Sequence, residues 1–207
     1  MSENTSWFSK GFEDINKNDY QANAGPSRFW MPKESEKEIT FIDSEPFTFW
    51  ECNMQMNGNW RNWFTSLKSL NQTCPLEEAG FKPYYVGMFT IIDHSEWTDK
   101  KGNTHKDEVK LFPAKITVLK KLKRQMEKKG SLKGCKFTVY RSDDKSPATG
   151  DEFEFVDRID VDKTFPEAKA FIYEDIFAPK SEDELKRLAG LPSNEKSSVD
   201  NEEDVPF

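Results

Sequence analysis

Apolar and polar residues alternate with a period of two through much of the middle of the chain. Ile39 and Phe41 interleave with Glu38 and Thr40, Phe47 and Phe49 flank Thr48, and Phe153 and Phe155 flank Glu154. Successive side chains of a strand face opposite sides of a sheet, so each run predicts a strand with one buried face. Tyr84 to Ile92 is apolar on both parities, as a central strand requires. Lys136 to Arg141 and Glu108 to Lys115 predict two further strands. Between these two the period changes. Ile116, Leu119, Leu122 and Met126 recur at helical spacing, predicting a helix from Ile116 to about Lys129, ended by Gly130, with that face packed on the sheet. A second short helix, Glu182 to Ala189, is predicted behind a Ser181 cap.

The fold class is therefore mainly β with one or two helices. Five or six strands with one interposed helix fit an OB-fold β-barrel, and other small barrels fit the same pattern. Residues 1–27, rich in Asn, Ser and Gly, predict a flexible N-terminal arm with one ordered turn near Trp7, Phe8 and Phe12. Residues 28–179 predict the barrel, and 180–207 the short helix and a disordered acidic tail. The absence of an apolar run of 18 residues argues against a membrane span. Met1-Ser2-Glu3-Asn4 lacks the basic and apolar regions of a secretion signal. The three cysteines, Cys52, Cys74 and Cys135, are odd in number and widely spaced, which fits reduced thiols in a cytosol.

Charge changes the picture more than composition does. The net charge is −7, yet Lys115 to Lys136 holds Lys115, Lys120, Lys121, Lys123, Arg124, Lys128, Lys129, Lys133 and Lys136 against the single acid Glu127. A cationic region on an acidic protein can hold phosphates by releasing their counterions; a solvated helix face rich in Lys has the same composition. Aromatics, at 14% with 17 Phe and 6 Trp, exceed what a core of this size needs. Asn59-Trp60-Arg61-Asn62-Trp63-Phe64 sets two Trp and a Phe around an Arg in a polar stretch that predicts a loop. Single strands are held by bases stacked on aromatic faces while basic groups follow the backbone. Trp60, Arg61 and Trp63 have that chemistry, and Trp30 beside Arg28, Trp50 at a strand end, and Tyr84-Tyr85 after Lys82 repeat it. Tyr84 and Tyr85 face opposite ways on a strand, so one is expected at the DNA and the other in the core. Lys110, Phe112, Lys115, Lys120, Lys121, Arg124, Tyr140 and Arg141 complete the expected DNA-binding set.

No metal, cofactor or catalytic residue is assigned. Cys52, Cys74, His94, His105 and Cys135 contain no close ligand pair. Asp43 with Glu45, or Asp157, Asp160 and Asp162, could hold Mg²⁺ for a two-metal nuclease, which stays open as an enzyme alternative. No Ser-His-Asp set or phosphate-binding Gly loop is present.

The chain ends Asp200-Asn201-Glu202-Glu203-Asp204-Val205-Pro206-Phe207. The terminal ring can enter an apolar pocket while its α-carboxylate meets a basic side chain and the acids meet a basic rim. This tip resembles that of bacterial single-stranded DNA-binding proteins, with Val205 in place of the more usual Ile. In that family it docks on replication and repair enzymes. The resemblance implies that Asp200, Glu202, Glu203, Asp204, Val205, Pro206 and Phe207 bind such partners. Arg28-Phe29-Trp30-Met31-Pro32, Glu38-Ile39-Thr40-Phe41-Ile42-Asp43, Cys74-Pro75-Leu76 and Lys82-Pro83-Tyr84 resemble phage-encoded single-stranded DNA-binding proteins over roughly residues 28–160. That resemblance implies an OB fold with a basic, aromatic-lined groove and no enzymatic activity. It also implies work on replication, recombination and repair intermediates in a bacterial host's cytoplasm. Some relatives carry a metal-binding Cys pair; here Cys74 has no cysteine two or three positions away. A replisome adaptor whose barrel binds protein remains the other alternative.

Overall fold

The structure, a computed structural model, describes residues 25–56 and 58–192, with the side chains of 59–61 left out. Its strands are β1 (Ser35–Phe41), β2 (Phe47–Met56), β3 (Asn59–Thr65), β4 (Tyr84–Asp93), β5 (Trp97–Thr98), β6 (Thr104–His105), β7 (Glu108–Lys115), β8 (Cys135–Arg141) and β9 (Glu152–Arg158). The helices are α1 (Pro75–Glu78), α2 (Ile116–Lys129), α3 (Val161–Thr164), α4 (Tyr173–Ile176) and α5 (Glu182–Ala189), with a 3-10 turn at Leu67–Leu70. The protein is mainly β, and seven antiparallel strands form one sheet.

β4 organises that sheet. One of its edges carries β2 along Tyr84–Met88 and β1 along Ile91–Asp93, while β7 runs along the other edge from Val86 to Asp93. β1 continues the sheet through β8 to β9, and β2 continues it to β3. No ladder among the described residues joins β9 to β7, so the sheet is not closed. The segment Ser27–Met31 bridges these two sides. Leu111 N donates to Ser27 O, Phe29 N to Leu111 O, and Met31 N to Ala148 O. Phe29 and Met31 are thereby buried in the main core.

The pattern of β4 explains its burial on both sides. Phe89 and Ile91 join Phe41, Phe112 and Phe137 in the main core, where Phe41 meets those three Phe rings edge-on at 5.1–5.8 Å. Val86, Met88 and Ile92 face the other way and are covered by residues 159–177, including Phe165, Phe171, Tyr173 and Phe177. α2 closes the main core with Val118 and Leu122. It can approach so closely because position 87 is Gly: a Cβ there would lie 2.6 Å from a Leu119 methyl and 2.9 Å from Pro46.

The structure corrects four expectations and adds one short ribbon. The Asn59–Phe64 stretch is not a loop but β3, paired with β2 through Cys52↔Phe64 and Met54↔Asn62; backbone pairing supplies what its unpatterned side chains do not signal. Ile116 is 49% exposed, and Val118 takes the buried place expected for it. Phe112, expected at the DNA, has no exposed surface and is a core residue stacked on Phe29. β5 and β6 form a ribbon of their own between β4 and β7. α5 is part of the body, not the tail: Leu185 is fully buried with Cys52, Met54, Leu67, Cys74 and Leu76 in a second core. Its Ser181–Glu184 capping box is the predicted start. All three cysteines are free and buried, and burial pushes the Cys52 thiol up to about 12. The turn at Trp7–Phe12 and the acidic tip Asp200–Phe207 lie outside the described residues. Among those described, no helix is long and apolar enough to cross a membrane.

Candidate nucleic-acid interface

Trp50 and Tyr85 are register partners across the β2–β4 ladder, so their side chains share a face. Their rings meet edge-on at 5.5 Å, and both are half-buried. They line an open depression of about 510 Å³ with Tyr84, Lys115 and Ile116. The Lys68 ammonium stands 4.0 Å from the Trp50 ring centre, and that of Lys115 stands 4.8 Å from the Tyr84 ring. Aromatic faces and cations thus occur together on one surface, the combination that stacks bases and follows phosphates. Lys82, just before β4, is exposed.

A buried charge cluster lies behind this surface. Glu51, 1% exposed, accepts both guanidinium arms of Arg28 at 3.0 and 2.5 Å and the Tyr84 hydroxyl at 2.6 Å. Burial, reinforced by the Glu51 charge, raises the Tyr84 phenol above its ordinary value, so it stays a neutral donor. The Arg28 guanidinium lies 4.1 Å over the Trp63 ring. Arg28 is therefore committed to Glu51 and Trp63 rather than held open for a phosphate. It fixes the outer edge of the β2–β3 hairpin. The backbones of Trp60 and Arg61 belong to that hairpin, whereas their side chains lie outside the described residues.

The helix α2 supplies the basic face. Lys120 lies one turn beyond Ile116 and on the same side, extending the line from Lys115. Lys121, Arg124 and Lys128 border a second depression of about 270 Å³ with Asp151, Glu152 and Phe153. Lys121 is not free, since its ammonium donates to the Asp151 carbonyl. Lys133 and Lys136 at the end of the cationic run pair with Asp162 and Glu38.

The remaining expected residues are scattered. Trp30 is 58% exposed within the bridging segment, and Tyr140 is exposed on β8. Lys110 is held by Asp93 and Glu108 at 2.8 and 2.9 Å, so its charge is neutralised locally. Arg141 donates to the Met31 carbonyl at 2.8 Å and ties the bridging segment to β8. The structure thus gathers Trp50, Tyr84, Tyr85 and Lys115 at one site, links Arg28 and Trp63 to it through Glu51, and puts Lys121 and Arg124 on α2's other stripe. Sequence reasoning missed Lys68 and Ile116. Lys68 carries no local signal because the 3-10 turn that delivers it has no hydrophobic period. Ile116 was read as core from its spacing alone.

Among the described residues, no group of three His, Cys, Asp or Glu side chains is arranged to hold a metal. Of the acids considered for Mg²⁺, Asp43 accepts from Thr90 N and the Tyr173 hydroxyl, Asp160 caps α3, and Asp162 pairs with Lys133. Comparison with protein-family models, with curated proteins and with solved structures finds no match to this chain.

Proposed function

We propose that this chain binds single-stranded DNA without sequence preference through an OB-type barrel, and that its acidic C-terminal residues recruit replication or recombination proteins. The observation that carries the reading is the half-buried Trp50–Tyr85 pair with Lys68 and Lys115 at the neighbouring ring faces. Bases stack on such faces whatever their identity, and cations beside them meet the backbone. The barrel reading draws on strand order. β7, β4, β1, β8 and β9 follow one another laterally, with β2 on the same edge of β4 as β1 and α2 between β7 and β8 in the chain, in the manner of a five-stranded, partly open Greek-key barrel. In that comparison β3 is an addition at the β2 edge. The reading assigns binding and no catalytic step.

Titration of the full chain with oligo-dT, followed by Trp fluorescence and by anisotropy of a labelled strand, tests it. Binding should quench the fluorescence, and Trp50→Ala should weaken it by roughly 1–3 kcal/mol with the fold intact. Lys115→Ala should flatten the slope of log affinity against log salt by about 0.7. A chain that leaves the oligonucleotide's anisotropy unchanged at low salt is not a single-strand binder. Degradation of the strand on adding Mg²⁺ would instead favour a nuclease.

A further inference from the structure

A second aromatic site lies at the opposite end of the β4–β7 ladder, on the β5–β6 ribbon. Trp97 is 45% exposed there, and nothing in the packing of the core requires it. Its ring is stacked on His105, its cross-strand partner, with centres 4.3 Å apart and planes 12° from parallel. Its indole N–H donates to Glu108 at 2.9 Å. The ring is thus fixed by a stack on one face and a hydrogen bond at its edge. Among the described residues no other ring or cation covers the second face.

The ribbon is short but locally braced. The Asp99 carboxylate accepts from Lys101 N, Asn103 N and the Asn103 amide at 2.8–2.9 Å, and it reaches His105 at 3.4 Å. These hydrogen bonds, those of Asn103 foremost, hold its carboxyl down to about 2. The local acids are mostly engaged: Asp99 inside the turn, Asp107 with His94, and Glu108 with Trp97 and Lys110. Glu96 is the exposed exception. Lys100, Lys101 and Lys106 are exposed and make no ion pair among the described residues. A fixed indole with one open face, on a ribbon that carries three exposed ammonium groups, has the chemistry of a base-stacking platform with backbone contacts.

We propose that Trp97, backed by His105 and flanked by Lys100, Lys101 and Lys106, stacks an unpaired base of the single strand already engaged at Trp50 and Tyr85. This rests on the proposed function and extends it to a second contact. The two sites are separated by the length of β4, roughly 30 Å at strand rise. One strand can cover both only if the site spans several nucleotides, within the roughly 4–16 known for a single OB domain.

The test uses the full chain, a labelled oligo-dT of about 20 nucleotides, and three variants: Trp97→Ala, Trp97→Phe, and the triple Lys100→Ala/Lys101→Ala/Lys106→Ala. Trp97→Ala should lower affinity about tenfold, which is within the range for one stacked base, and Trp97→Phe should retain most of it. The triple variant leaves the stacked pair in place and should flatten the salt slope by about 2 for three phosphate contacts. Thermal midpoints should match the parent's in all three. Parent-like affinity in Trp97→Ala together with a parent-like slope in the triple variant would overturn the second contact alone. A parent chain that does not bind the strand would overturn the proposed function as well, so the two failures are distinct.

Discussion

At the scale of single residues, the strongest commitments are polar groups held away from water. Glu51 accepts three hydrogen bonds from two partners, Arg28 and Tyr84, and removing its charge would leave the Arg28 guanidinium nearly buried without a counterion. Glu51→Gln should therefore destabilise the fold by about 3 kcal/mol in urea melts, since breaking a buried pair costs far more than losing an exposed one. Asp43 behaves in the opposite sense. Burial raises its carboxyl above the ordinary range, despite hydrogen bonds from Tyr173 and Thr90 that act to lower it. A carboxyl raised in the folded state supports the fold while protonated, and that support is lost as pH rises through its folded value. Asp43→Asn keeps an acceptor for both donors without the charge. Its thermal midpoint should exceed the parent's at pH 7, and the difference should vanish as pH falls to about 4. Neither relation was legible in the sequence. Arg28, Glu51 and Tyr84 stand far apart along the chain, and no local pattern says that three polar side chains will converge. The aromatic chemistry was more visible: Trp50 and Tyr85 stood out beside basic residues, but only the β2–β4 register makes them a pair.

At the scale of elements, β1, β2, β7, β8 and β9 were legible because their apolar residues recur with the pleat, and β4 because it is apolar on both parities, as a strand buried on both faces must be. α2 was legible for the matching reason at period 3.6, and Gly130, left-handed at φ 79°, stops it as predicted. β3 was not, because Trp60-Arg61-Asn62-Trp63-Phe64 has no alternation and its strand state depends on pairing with β2. α1, α3 and α4 were not either, since four residues are too few to show a helical period. The seat of α2 gives a sharp test. Gly87→Ala puts a methyl against Leu119 and Pro46, so the helix must shift outward or the strand must bend. A loss of roughly 1–3 kcal/mol is expected, as for other overpacked sites. Leu119→Ala in the same chain should recover part of it, because the closest clash is with that side chain. Recovery failing in the double variant would place the cost in Pro46 instead.

At the scale of the whole molecule, the body extends past the predicted barrel, since α5 seals a second core under the β2–β3 hairpin and residues 159–177 cover the far face of β4. The sequence groups the short helix with the acidic tail as 180–207, whereas α5 belongs to the body through Leu185; the residues beyond 192 lie outside those described. The bridging segment Ser27–Met31 has its own consequence, one of timing. It is made before its partners, since Phe29 bonds to Leu111 and Met31 to Ala148, which follow much later in the chain. Contacts so distant along the chain slow folding, because a long loop must close before they form. Phe29 and Met31 are then among the last side chains to find their places, and the nascent chain carries them exposed until β8 and the loop before β9 exist. Phe29→Ala should accordingly speed unfolding in stopped-flow experiments while leaving the refolding rate almost unchanged. A refolding rate that fell in proportion to stability would mean that this bridging segment helps to assemble the fold instead of locking it.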